Sequence, residues 1–177
     1  DVVGVSLGGL VAQDLAARHP GLVRRLVLVD AVAQYPPPMR GMWRERAALA
    51  RRDGLATLAD AMESTWFGDA FRAARPDVVA EARAVFSATD PEGYALSCEA
   101  LAGAELRAAA ERLDLPTLVV CGSEDAPAFL EAADWFARVI PGAGLRWIAG
   151  ARHAAVLERP EEFAAAVRAF LDAEEAR

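Results

Sequence analysis

A serine flanked by glycines, Gly4-Val5-Ser6-Leu7-Gly8-Gly9, stands between a short apolar run and a helix-forming stretch. A serine hydroxyl is a weak nucleophile at neutral pH. It becomes effective when a base takes its proton and a carboxylate holds that base in one orientation. Two histidines are available. His19 closes the helix that follows the serine, at the end away from Ser6, where an imidazolium suits the helix dipole. His153, in the loop Gly150-Ala151-Arg152-His153 after the last apolar run, is the candidate base. The candidate acid lies in Gly122-Ser123-Glu124-Asp125, after the preceding run. Asp125 is the first choice there, and Glu124 beside it and Asp30 at the end of an earlier run remain open. The chain order serine, acid, histidine is one of the known arrangements for acyl transfer, and the amide of Leu7, directly after the nucleophile, is the expected oxyanion donor.

Such groups need a rigid frame. Asp1 to Val5 has the pattern of the end of a buried strand, and Gly8 onward through Leu10, Val11 and Leu15 has helical spacing up to His19-Pro20. G-x-S-x-G carries weight only between a strand and a helix, where small residues two before and two after the serine let the backbones pass closely. Arg25 to Asp30 is a continuous apolar run, as in a parallel strand covered on both faces. Tyr35-Pro36-Pro37-Pro38 is expected to end regular structure and mark a boundary. From Met39 to about Arg112 the pattern is helical, and strands resume at Pro116 to Gly122 and Leu145 to Ile148, alternating with helices around Leu130 to Ile140 and from Pro160 to about Ala173. Strands alternating with helices predict an α/β fold with a mostly parallel sheet. The expected division is 1–38 as core with the serine turn, 39–112 as an inserted helical cap, and 113–177 as core with acid and histidine.

The net charge of −7 and the lack of a basic stripe argue against a nucleic-acid partner. Apolar runs of strand length argue against a membrane span. The first residues show no charged leader or cleavage site. Cys98 and Cys121 lack metal or disulfide spacing, and the sequence has no His/Cys cluster of the kind that holds a metal. A reducing compartment suits the two thiols, and a cytoplasmic location is the expectation.

The chain resembles the 3-oxoadipate enol-lactonases, also called β-ketoadipate enol-lactone hydrolases, of aromatic catabolism. The general part of the likeness is Gly4 to Gly9, Arg18-His19-Pro20 before Arg25 to Asp30, and His153 followed by Glu158 and Pro160. Its narrower part lies in the cap: Trp66-Phe67 with Ala70-Phe71, then Ala88 to Tyr94 with Cys98 and Leu106-Arg107. Two departures stand near the candidate acid and base: Ala126-Pro127-Ala128-Phe129 replaces a threonine-proline turn, and Arg152 replaces the usual glycine.

The resemblance implies an α/β-hydrolase fold of which this is the C-terminal part. The early strands and the loop with the second oxyanion donor are expected upstream of Asp1. It implies a small-molecule substrate in the β-ketoadipate pathway and neither a metal nor an organic cofactor: Ser6 opens the enol-lactone, His153 moves the proton, Asp125 holds the imidazole, and a keto diacid leaves. A carboxylated substrate needs a cation or donor, for which Trp43 and Arg46, three apart on a predicted helix, and Trp66 are candidates, with Arg83 behind them. The alternatives are another serine hydrolase of this fold (esterase, perhydrolase or C–C hydrolase) and a non-catalytic hydrolase-fold piece. A bare strand edge beside Ser6 gives an expectation of self-association.

Overall fold

In the computed structural model, which describes residues 1–173, the chain runs β1 (Val2–Val5), α1 (Leu7–Arg18), β2 (Leu26–Val29), α2 (Pro37–Asp53), a 3₁₀ turn (Leu55–Leu58), α3 (Ala59–Trp66), α4 (Asp69–Ala74), α5 (Pro76–Ala88), α6 (Pro91–Gly103), α7 (Arg107–Ala110), β3 (Thr117–Gly122), α8 (Pro127–Val139), β4 (Gly144–Ile148), α9 (Ala155–Glu158) and α10 (Pro160–Leu171). Two compact units result: Asp1–Ala33 with Leu106–Arg177, and Gln34–Glu105.

The first unit is built on a sheet of order β1-β2-β3-β4, parallel throughout, with Val3 beside Val27, Leu28 beside Val119 and Cys121 beside Trp147. β2 and β3 are buried along their whole length, which explains their unbroken apolar runs. Val27, Val29, Leu118, Val120 and Ile148 form a core with Ala151 and Ala155, against which Phe163, Val167, Phe170 and Leu171 of α10 pack. Arg25, buried at the start of β2, donates to the carbonyls of Leu171 and Ala173 and so satisfies acceptors at the end of α10.

β1 departs from the buried strand expected of it. Its register puts Val3 and Val5 on the face that carries Val27 and Val29, yet they are 43% and 37% exposed. The reason lies in the layer above: α10 packs over β3 and β4, while β1 is the last strand of the sheet among the described residues.

The second unit is helical. α2 lies along α6, and Ala50, Leu55, Leu58, Ala59, Met62 and Phe86 form its core. A bridge between Gln34 and Glu105 joins its two ends. The proline run does not simply end structure: Pro36 is the N-cap of α2, and Pro37 and Pro38 occupy the first turn. Those positions have no intrahelical use for an N–H, and the ring's fixed φ is already helical. Asp90-Pro91-Glu92-Gly93 likewise starts α6, with the Asp90 carboxylate accepting from the Gly93 N–H at 2.6 Å. The unit spans 34–105, against the 39–112 expected; α7 belongs to the first unit, where the Leu106 N–H donates to the Ala33 carbonyl at 2.9 Å.

Candidate active site

Ser6 sits in the single residue between β1 and α1, with φ 52° and ψ −115°. A non-glycine residue at positive φ is held there only by its surroundings. Here the Ser6 N–H donates to the Val29 carbonyl, and the Ser6 carbonyl accepts from the Gly9 N–H, both at 2.9 Å. The turn brings backbones together at Gly4, where an added Cβ would lie 2.3 Å from the Gly8 oxygen, and at Gly9, where it would lie 2.5 Å from the Ala31 Cβ. Gly8 is different from the sequence-based expectation: a Cβ there meets nothing within 4 Å. The close pass is made by Gly4 over the 8–9 backbone, so the second small position of the pentapeptide is not demanded by contact. Leu7 begins α1, so its N–H belongs to the first turn, whose amides have no carbonyl four residues back to bond.

The loops after β3 and β4 converge at the serine turn. His153 Nε2 lies 3.0 Å from Ser6 Oγ, and His153 Nδ1 lies 2.8 Å from Asp125 Oδ2. A carboxylate only accepts, so the imidazole proton belongs on Nδ1, which leaves the Nε2 lone pair for the serine hydroxyl. The Asp125 side chain is fully buried and its other oxygen accepts from the Ala126 N–H at 2.6 Å. The phenyl ring of Phe129 lies 4.4 Å from the imidazole, centroid to centroid, and fixes one face of it.

Of the three carboxylates considered, Asp125 holds the histidine. Glu124 is exposed, and its N–H is used by the Ala151 carbonyl at 2.9 Å. Asp30 is fully buried and bonds elsewhere: its Oδ1 accepts from the Gly122 N–H at 2.8 Å. Burial pushes the Asp30 carboxyl up to about 7, against a smaller opposite effect of the Gly122 hydrogen bond. His19 is exposed at the C-terminal end of α1.

Features without a recognisable sequence signal hold these loops in place. Gly122 is the point where the acid loop crosses the histidine loop, since a Cβ on it would meet the Arg152 carbonyl oxygen at 2.3 Å. Ser123 Oγ accepts from the Gly150 N–H at 2.9 Å. Buried Glu158 accepts from the Arg152 N–H at 2.6 Å and so pins the residue before His153. Of these, Glu158 is the one the family resemblance names, at its place behind His153.

Asp30, Cys121 and Asp125 bring three potential ligand atoms within 4.8 Å of one another. They are a poor metal site: Asp125 is committed to His153, and burial pushes the Cys121 thiol far up, away from the thiolate a metal needs. Among the described residues no helix is long and apolar enough to cross a membrane.

In the helical unit, Arg46 Nε donates to the Tyr94 hydroxyl at 2.5 Å, and the guanidinium lies 5.8 Å from the ring centres of both Trp43 and Tyr94. Trp43 Nε1 is buried without a hydrogen-bond partner. Trp66 is edge-on to Phe67 and Phe86, half-buried against the core of the unit. Arg83 is neutralised by Asp60 at 2.7 Å and Glu63 at 2.6 Å.

Comparison with known proteins points the same way as the geometry. The chain is 30% identical over 168 residues to 3-oxoadipate enol-lactonase 2 of Acinetobacter baylyi, covering 95% of this chain and 62% of that protein. It is 33% identical over 175 residues to a pimeloyl-[acyl-carrier protein] methyl ester esterase of Aromatoleum aromaticum, covering 92% of this chain and 70% of that protein. The crystal structure of the enol-lactonase from Burkholderia xenovorans LB400 superposes with a TM-score of 0.91 at 37% identity, over 97% of this chain and 65% of that one. The chain thus spans somewhat under two thirds of the length of both lactonases. Residues 1–166 match the model of the alpha/beta hydrolase family, and with a strand-serine-helix turn and a histidine and acid on the loops after β4 and β3, the chain belongs to that family.

Proposed function

We propose that this chain supplies the nucleophile, acid and base of an ester or lactone hydrolase whose substrate is 3-oxoadipate enol-lactone or a similar small carboxylated lactone. The observation that carries the hydrolytic part is the run of contacts from Ser6 Oγ through the imidazole to Asp125. Ser6 attacks the lactone carbonyl while His153 takes its proton and Asp125 stabilises the imidazolium. The Leu7 N–H donates to the oxyanion. The ring C–O bond breaks to release an enolate, which stays tethered to the acyl group and becomes a ketone on protonation. Water activated by His153 then frees the keto diacid and restores Ser6.

The substrate class rests on the cap residues that resemble those of enol-lactonases and on the likeness to two lactonases. The pairing of Arg46 with the unsatisfied Trp43 N–H supports a carboxylate ligand, since a cation and a buried free donor side by side suit an anion. The esterase relatives favour a second reading, a methyl ester of a longer acyl chain.

A fluorophosphonate probe is expected to label Ser6 in the wild type and not in Ser6→Ala. Absence of labelling in folded protein defeats the hydrolase reading. Turnover of the enol-lactone above that of matched methyl esters supports the lactonase; the reverse preference gives the esterase reading its place.

A further inference from the structure

We propose that Asp30 is a positioning residue that works as a neutral acid, tying the acid-bearing loop to the sheet through Gly122 while withholding a second negative charge from the Asp125–His153 pair. The role deepens the hydrolase reading above and rests on it where activity is the readout.

The case begins with where Asp30 stands. It directly follows β2, and its N–H donates to the Val120 carbonyl at 2.9 Å. Its Oδ1 accepts from Gly122, the last residue of β3, from which the loop to Asp125 departs. One residue therefore clamps two strand ends where the candidate acid is launched. Its φ of +44° is unusual outside glycine, though aspartate is among the residues that tolerate it best. The side-chain bond to Gly122 gives that backbone a reason to persist.

The other oxygen shows which protonation state fits. Oδ2 is buried with no N–H or hydroxyl donor bonded to it, and only the weakly donating Cys121 thiol stands beside the carboxyl, so an ionised Asp30 would keep a poorly compensated charge in the interior. The titratable groups around it are Cys121 on β3, Asp125 on the loop after β3, and His153 on the loop after β4. Asp125 is a like charge within 4.8 Å, which opposes ionisation, and His153 in its protonated form favours it. Burial is the larger effect and holds the proton on Asp30 up to about pH 7.

The coupling runs both ways. When Asp30 loses its proton to solvent, the new charge makes the His153 imidazolium easier to keep, and an imidazolium cannot act as base. Ionisation of Asp30 is therefore felt at the His153 ring.

The test uses the full chain and its Asp30→Asn variant, which keeps an acceptor for Gly122 and removes the charge. Nitrogen chemical shifts of the His153 ring, followed by NMR from about pH 5 to about pH 9, are expected to show two inflections in the wild type and one in Asp30→Asn. The acid limb of kcat/KM on p-nitrophenyl acetate is expected to move down by roughly half a pH unit or more in the variant. A single wild-type inflection overturns the proposal, as does a folded variant whose titration matches the wild type. If Asp30→Asn does not fold, the wild-type titration decides alone. Two inflections in a protein whose Ser6 resists the fluorophosphonate probe would leave the coupling standing and defeat only the hydrolase reading.

Discussion

At the scale of single residues, the proposed mechanism has Ser6, His153 and Asp125 act through contacts that each depend on the next, so their losses should not be alike. Ser6→Ala and His153→Ala each remove a bond-forming or proton-moving group, and hydrolysis is expected to fall by about 10⁶ in kcat. Asp125→Asn leaves a side chain that still fills the buried site but cannot hold the Nδ1–H tautomer, with an expected loss of about 10⁴. Steady-state kinetics on one ester substrate checks the ranking; a harmless Asp125→Asn would detach the acid from the mechanism. Arg46→Ala is expected to raise KM for a carboxylated lactone about tenfold more than for a neutral ester, because the lost charge contact would exist in both ground and transition states. Equal effects on both substrates would return Arg46 to a purely structural pairing with Tyr94. Asp30 bears on stability in the opposite sense to an ordinary ion-paired aspartate. The folded carboxyl keeps its proton to about 7, whereas the unfolded one releases it near 3.8, so the folded state binds more protons in that window. Stability is therefore lost as pH rises through it, by at most ~4 kcal/mol. Asp30→Asn escapes this loss, and its thermal midpoint relative to wild type is expected to climb between about pH 4 and pH 8. A constant difference in calorimetry would contradict that.

Among the elements, the turn between β1 and α1 gives the sharpest contrast. Gly4→Ala places a methyl 2.3 Å from the Gly8 carbonyl oxygen, and the obstacle is backbone, which cannot swing aside. A cost of about 3 kcal/mol is expected. Gly8→Ala meets open space and gains helix propensity, so it is expected to be neutral or up to about 1 kcal/mol more stable. Urea unfolding of both variants checks this, and equal destabilisation would contradict the steric account. The same turn shows how much the sequence discloses. An apolar run, a glycine-flanked serine and a helical period have local causes, so β1, α1 and Ser6 were legible, as were β2, β3 and β4 and the assignment of His153 over His19. The choice of Asp125 over Asp30 was only a preference in the sequence, because both aspartates follow strands; the decision comes from Gly122 taking Asp30 and His153 taking Asp125, contacts between distant segments. Pro36 to Pro38 misled for a different reason, since proline both ends and begins helices and only the residues after it show which.

At the scale of the whole molecule, the outer strands of the described sheet are β4, whose exposed stretch carries the charged Arg146, and β1, which carries only valines and a glycine. Its partner on one side is β2, and its outer edge has no strand beside it among the described residues, so a row of N–H and C=O groups is free to pair. Val3 and Val5 add apolar surface on the same strand, and Val11, 63% exposed, adds more on α1, the helix that packs against it. A template for strand pairing with exposed valines is where self-association is expected. The net charge of −7 opposes association through mutual repulsion of like-charged chains. That repulsion is screened over about 8 Å at 0.15 M salt, whereas strand pairing acts at contact. The 177-residue chain is therefore expected to associate with rising concentration, and more so with rising salt, in sedimentation velocity. Val3→Lys puts a charge on the edge and is expected to weaken the association while leaving the β1–β2 pairing, which is made by backbone, intact. A single monomeric species at every concentration and salt, in the wild type as in Val3→Lys, would show that the edge is already protected.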